Sequence, residues 1–408
     1  MNAQILTSPD PFSGLWVVTE LTKDQLIQSA RAGVKECSVE EARAQLEAHP
    51  DTLLLDVREP EEVATGSIAA ARAVPRGFLE LRIEDIERNR DRAIVIYCAG
   101  GTRSVLAGRS LQEMGYRNVT SMRGGFGAWK NAGFPWKVEQ QLSSEQKIRY
   151  SRHIMLPEIG EEGQKRLLNA KVLLVGAGGL GSPSAFYLAA AGVGTLGVVD
   201  PDVVDYSNLQ RQILHRNEDA GVPKVDSAER AIRDLNPDVK VVKYREFLTS
   251  ENIMPILDEG WELVVDGCDN FQTRYLINDA CVFRGLPNVH GSIFQFEGQV
   301  SVFAPKLGGP CYRCLYPEPP PPGMAPSCAE AGVVGALPGI VGTMQVLETI
   351  KLLLGKGAPL VGRLAQFDAM AMKWREMKLR RDPACPVCSE HPTITTLVDY
   401  EAFCSASR

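Results

Sequence analysis

Residues 171–200, KVLLVGAGGLGSPSAFYLAAAGVGTLGVVD, decide the fold of the larger part of this chain. Lys171 to Val175 form an apolar run of strand length, and Gly176-Ala177-Gly178-Gly179-Leu180-Gly181 then opens a helix running from Ser182 to Ala191. The glycines allow a tight turn and a close approach of backbone to an anion, which the free N–H groups and positive dipole end of the helix would hold. A second strand, Gly197–Val199, ends at Asp200, nineteen residues after Gly181, where a carboxylate would accept hydrogen bonds from ribose hydroxyls. Strand, glycine loop, helix, strand and acid together predict a Rossmann-like unit.

The next residues narrow the chemistry. Asn208-Leu209-Gln210-Arg211-Gln212 and then Lys224 bring two cations close to the expected phosphates. A hydride-transfer enzyme has no need of them, whereas an enzyme that breaks a nucleoside triphosphate must neutralise charge as the bond breaks. A dehydrogenase is therefore disfavoured. Further strands at 239–243 and 262–266, alternating with helices, predict a parallel, helix-covered sheet. The proline run 317–326, PEPPPPGMAP, predicts an exposed, extended crossover. Leu337–Leu354 is apolar but contains Gln345, Glu348 and Lys351, so it reads as a buried helix and not a membrane span.

Upstream lies a smaller α/β pattern. Thr22 to Ala32 could form one amphipathic helix; Ser38 is placed to cap a helix over Val39–Ala48; Thr52–Val57 and Ala93–Tyr97 read as strands; and Ser104–Met114 reads as a helix. Cys98-Ala99-Gly100-Gly101-Thr102-Arg103-Ser104 puts a thiol at a strand end before a helix. A loop of this kind can turn backbone N–H groups toward the sulfur, and with Arg103 it would favour an anionic thiolate or persulfide. The polar stretch between the two patterns lacks apolar periodicity and reads as a linker.

The chain of 408 residues has room for two or three domains, with 44% hydrophobic and 23% charged residues, as in ordinary soluble proteins. A net charge of −6 and the lack of any basic run disfavour a nucleic-acid partner. The N-terminus MNAQILTSPDPF has neither the basic start nor the apolar core of a secretory signal. Ten cysteines, four of them in Cys311-x-x-Cys314 and Cys385-x-x-Cys388, suggest metal and thiol chemistry in a reducing cytoplasm. Those four thiolates suit a closed tetrahedral zinc site of structural character. Cys37, Cys268, Cys281 and Cys404 read as structural or incidental.

Residues 53–62 (LLLDVREPEE), 66–77, 98–104 and 122–136 (MRGGFGAWKNAGFPW) resemble the rhodanese family. The resemblance implies a small α/β sulfurtransferase domain whose Cys98 carries a persulfide, with Asp56 and Arg58 structural. Residues 149–160 (RYSRHIMLPEIG), the glycine loop, 205–212 (DYSNLQRQ), 221–228, 266–279 (DGCDNFQTRYLIND), 310–318 and 385–388 are similar to the MoeB/ThiF family, relatives of ubiquitin-activating enzymes. That resemblance implies a Rossmann-like ATP-binding domain with a mostly parallel sheet. Its activity would be adenylation of the C-terminal glycine of a ubiquitin-like sulfur carrier with ATP and Mg2+. It further implies that Asp200 holds the ribose, that Arg211 and Lys224 contact the triphosphate and that Asp269 ligates magnesium. Arg152 would reach the phosphates of a neighbouring subunit in a homodimer, and Asn208 and Gln212 would line the pocket. In some relatives a cysteine at the position of Cys328 forms a covalent link to the carrier.

The expected organisation is an unassigned extension (1–35), a rhodanese-like domain (36–137), a linker (138–145), an adenylyltransferase domain (146–390) and a tail (391–408). The fusion implies that a Cys98 persulfide attacks an activated carrier carboxylate to yield a thiocarboxylate. The sulfur would come from thiosulfate or a cysteine desulfurase persulfide, and no membrane partner is expected. Two alternatives remain at this point: a conjugating enzyme working through a Cys328 thioester, and an adenylyltransferase whose first domain only docks a sulfur donor.

Overall fold

The computed structural model describes residues 21–138, 141–320, 332–400 and 404. The chain divides into two compact units, Met1–Gln141 and Leu142–Arg408.

In the first unit, β1 (Lys35–Cys37), β2 (Leu53–Asp56), β3 (Arg72–Ala73), β4 (Ile94–Tyr97) and β5 (Val119–Met122) form a sheet of order β1-β5-β4-β2-β3 with every pairing parallel. The two-residue period sorts its side chains. Leu53, Leu55, Ile94 and Ile96 join one apolar cluster, while Leu54, Val95 and Tyr97 join another. Burial on both faces explains why these strands read as continuous apolar runs. The helices begin where their caps lie: Thr22 opens Lys23–Gly33 and Ser38 opens Val39–Ala48, each with a capping box closed by the residue three positions on.

Asp56 and Arg58 form an ion pair at 2.6 Å, with side chains 0% and 3% exposed. The guanidinium also donates to the carbonyls of Glu62 and Gly66, so it holds the turn after β2 against the sheet. The pair acts structurally. Asp56→Asn, which leaves that guanidinium buried without its counter-charge, should cost the first unit about 3–5 kcal/mol. The expected readout is lost hydrogen-exchange protection in β2 and β4; unchanged protection would refute it.

In the second unit, β6 (Lys171–Val175), β7 (Thr195–Val199), β8 (Lys240–Tyr244), β9 (Leu263–Asp266) and β10 (Asn288–Phe294) are parallel. They continue antiparallel through β11 (Glu297–Phe303), β12 (Arg363–Asp368) and β13 (Lys373–Lys378), giving the order β13-β12-β11-β10-β9-β6-β7-β8. The four expected parallel strands are present. The antiparallel half escaped the sequence because β10 turns into β11 at Gln295, a non-glycine residue with φ of 50°, and because β13 is exposed along its whole length.

Leu337–Leu354 is a single helix, and half of it is buried. Among the described residues it is the one helix long and apolar enough to cross a membrane. Its polar residues work inside the unit: Gln345 donates to the carbonyls of Asp266 and Val289, and Glu348 accepts from the Leu360 amide and Lys351. It is a core helix, as expected. The stretch read as a linker is not all irregular, because Ser143 caps a helix over Ser144–Arg149. In the proline run Pro319 is buried, contrary to expectation, and 321–326 lie outside the described residues.

Candidate functional site

The strand order places a crevice at the carboxyl ends of β6, β7 and β9. From β6 the chain steps to β7 and β8, then returns to β9 on the other side of β6, and at such a reversal the flanking loops diverge and leave space for a ligand. The loop after β6, the end of β7 and residues 267–270 after β9 all line this cleft. Gly176, Gly178, Gly179, Asp200, Arg211, Gln212, Lys224 and Asp269, expected from the sequence, meet there.

The glycine loop is built by close packing. Gly176 has φ of 95°, and a Cβ on Gly181 would stand 1.8 Å from the Gly176 carbonyl oxygen. Gly181 therefore serves by lacking a side chain and is not among the cleft-lining residues. Asp200 is buried; its carboxylate accepts from the Ala177 N–H at 2.8 Å and the Asp202 N–H at 2.9 Å. Burial pushes its carboxyl above the ordinary aspartate value, against the pull of Lys224. Lys224 opens the helix Lys224–Leu235 and reaches Asp202 at 2.8 Å and Asp200 at 3.9 Å. Arg211 is half-buried and donates to the Ser207 carbonyl at 3.1 Å.

Two expected residues stand differently. The Asn208 carbonyl accepts from the amides of Arg211 and Gln212, at 3.0 and 2.9 Å, so Asn208 positions these residues and does not itself line the cleft. Arg152 is exposed on the short helix Ser151–Ile154, with its guanidinium 3.7 Å from the Met155 sulfur, and does not line the cleft of its own chain. Asp269 is exposed three residues beyond β9.

The sequence reading missed Arg274. It lines the same cleft and donates to the Cys268 carbonyl at 3.2 Å. The signal was available, since Asn270 caps the helix Phe271–Arg284 by accepting from Thr273, and this sets Arg274 one turn inside the helix start. Beneath the cleft, Asp266 accepts from the Cys268 thiol and His290 Nδ1, both at 2.7 Å. Burial and the adjoining carboxylate push the Cys268 thiol well up, so it stays protonated, in keeping with a structural reading.

In the first unit Cys98 follows β4 and is 1% exposed. Its sulfur accepts from the Gly101 N–H at 3.1 Å and lies 3.7 Å from Ser104 Oγ. The 122–136 segment straps the loop: the Phe126 and Gly127 amides donate to the carbonyls of Cys98 and Ala99, and a Cβ on Gly125 would stand 2.2 Å from the Cys98 carbonyl oxygen. Arg103 departs from expectation. Its guanidinium is held by both oxygens of Glu62 at 2.6 Å, and Arg103 in turn holds that carboxyl at about 2. Its charge is matched by a carboxylate instead of being turned on the sulfur alone.

The sulfurs of Cys311, Cys314, Cys385 and Cys388 all lie within 4.8 Å of one another, with separations of 3.4, 3.5 and 3.9 Å among them. Sulfurs at the corners of a tetrahedron with ~2.3 Å metal bonds would stand ~3.8 Å apart, so this donor set fits a metal ion. Cys328 lies outside the described residues.

A glycine-loop cleft ringed by cations, joined in one chain to a strapped thiol loop, defines a nucleotide-using enzyme fused to a sulfur-handling domain. Residues 150–387 match the ThiF family and residues 38–132 the rhodanese-like domain; the chain belongs to the ThiF family. It is 54% identical over 266 residues to the sulfur carrier protein adenylyltransferase of Thermus thermophilus, covering 64% of this chain and 98% of that one. It is 52% identical over 266 residues to the probable adenylyltransferase/sulfurtransferase MoeZ of Mycobacterium tuberculosis, covering 64% of this chain and 66% of that protein. A crystal structure of E. coli MccB with MccA-N7isoASN shares the fold, with a TM-score of 0.52 at 22% identity over 59% of this chain and 75% of that one.

The packing at Gly181 yields a direct test. Gly181→Ala should destabilise the second unit by about 3 kcal/mol through overpacking against the Gly176 carbonyl. A denaturant titration with an unshifted midpoint would contradict that geometry.

Proposed function

We propose that this chain uses ATP to adenylate the C-terminal carboxylate of a ubiquitin-like sulfur carrier ending in Gly-Gly, then passes sulfur to it from Cys98. The observation that carries the reading is the convergence of Arg211, Lys224 and Asp269 on the glycine loop at the sheet's reversal point. The names of the relatives point the same way.

The glycine loop and the start of its helix would hold the phosphates, and Asp200 would face the ribose. Arg211, Lys224 and Arg274 would offset the charge that gathers as the carrier carboxylate attacks the α-phosphate and pyrophosphate leaves. The carboxylate is already ionised at neutral pH, so no general base is required. Asp269 would hold Mg2+, which would add charge neutralisation at the phosphates. Arg152 would serve the cleft of a second subunit in a homodimer.

The acyl adenylate carries a good leaving group. The outer sulfur of a Cys98 persulfide would attack its carbonyl, AMP would leave, and the carrier would be joined to Cys98 through an acyl disulfide. A second thiol, Cys328 or an external one, would attack the Cys98 sulfur, release the thiocarboxylate and leave a disulfide at Cys98. Domain boundaries at 36–137 and 146–390 fit this division of labour. Zinc in the four-cysteine cluster would tie residues 311–314 to residues 385–388, and thiolate chemistry of this kind suits a reducing cytoplasm.

Candidate carriers incubated with the full chain, ATP, magnesium and thiosulfate or a desulfurase persulfide should exchange one oxygen for sulfur by intact mass. Cys98→Ser should stop that exchange and leave adenylation intact, and Arg211→Ala or Lys224→Ala should lower adenylation by about 10²–10³-fold. Undiminished sulfur transfer by Cys98→Ser would reduce the first domain to a docking module. Metal analysis should find ~1 zinc per chain and none after Cys385→Ser; a metal-free native chain would remove zinc from the account.

A further inference from the structure

His215 lies under the glycine loop, and its contacts can be counted in protons. Nε2 stands 2.9 Å from the Ala177 carbonyl oxygen, and Nδ1 stands 2.8 Å from Ser227 Oγ. Ser227 Oγ in turn stands 2.6 Å from Asp219 Oδ2. Each separation is of hydrogen-bond length between two heteroatoms, and each needs a proton between them. The Ala177 carbonyl has none to give, so Nε2 carries one. Asp219 is ion-paired with Arg230 and also accepts from the Arg216 amide at 2.8 Å, so the proton between Ser227 and Asp219 belongs to the hydroxyl. A hydroxyl has one proton. The remaining contact is satisfied only if Nδ1 carries a proton as well.

We propose that His215 is an imidazolium when this chain of contacts is complete, that it positions the glycine loop through Ala177, and that loss of its proton weakens ATP binding. The inference rests on the ATP reading above. The Ala177 peptide is gripped from both sides, its N–H by Asp200 and its C=O by His215. When Nδ1 loses its proton, the Ser227 hydroxyl must turn to either the ring or Asp219, and one contact is lost. Burial holds the His215 pKa below the ordinary histidine value, with Lys224 adding to that and the Ala177 carbonyl and Asp200 opposing it. Asp219 and Arg230 act on the ring through Ser227, while the Arg216 side chain lies toward Glu218 and Asp234. The protonated state is present below the His215 pKa and disappears as pH rises through it, so ATP affinity should fall in that direction.

The test uses the full chain with isotope-labelled histidine. It has five histidines, and the His215 signal is the one missing in His215→Gln. At about pH 5, below the ordinary histidine value, both ring nitrogens of His215 should resonate as N–H; one unprotonated nitrogen there would overturn the proposal. By calorimetry, the ATP dissociation constant should rise about fivefold from about pH 5 to about pH 8 in the native chain. In Ser227→Ala, where Nδ1–H has no acceptor, that constant should be raised and nearly independent of pH. A native constant indifferent to pH would sink the coupling. Absence of ATP binding at every pH would instead defeat the nucleotide reading, and the resonance measurement would still decide the proton count.

Discussion

The peptide at Ala177 is the point on which the second unit's cleft depends. Its N–H and C=O are both taken by side chains, Asp200 from the end of β7 and His215 from the segment after the arginine motif. On either side, the Gly176 amide donates to Val199 and the Gly267 amide to Val175, so the ends of β6, β7 and β9 are tied through one loop. A neutral hydrogen bond contributes only about 1 kcal/mol and a charge-assisted one roughly twice that. The value of these bonds is therefore less their sum than the geometry they impose. With the loop held, Gly178 and Gly179 line the cleft and the cations Arg211, Lys224 and Arg274 reach it from three separate elements.

Buried polar groups do similar work elsewhere, in segments without periodicity. Asp279 accepts from the Arg313 guanidinium and from the Tyr400 hydroxyl, at 2.8 and 2.7 Å, so a helix, the turn carrying Cys311 and Cys314, and the chain end are joined at one carboxylate. Gln345 ties the long core helix to the carbonyls of Asp266 and Val289 beneath the cleft. Removing one member of such a set leaves a buried charge or donor without a partner, which costs far more than the contact itself contributes.

The thiol loop of the first unit relies on backbone geometry. Cys98 is positioned by amides donated from the strap at 126–127 and meets the Gly101 N–H, while Arg103 is paired with Glu62.

Local order was legible in the sequence because it depends on neighbouring residues. The βα alternation, the glycine loop followed by Asp200, the Ser38 cap and the paired C-x-x-C motifs all declare themselves within a few positions, and most of the expected residues, Gly176, Gly178, Gly179, Asp200, Arg211, Gln212, Lys224 and Asp269, do converge on the cleft. What the tertiary structure decided are partnerships between distant positions. Strand β11 pairs with β12 across a long interval; Arg103 turns to Glu62, 41 residues away; and His215 reaches Ala177, 38 residues away. Periodicity says which face a side chain occupies, but which of several nearby charges or carbonyls it meets is settled only when the sheet closes and burial makes an unpartnered polar group costly.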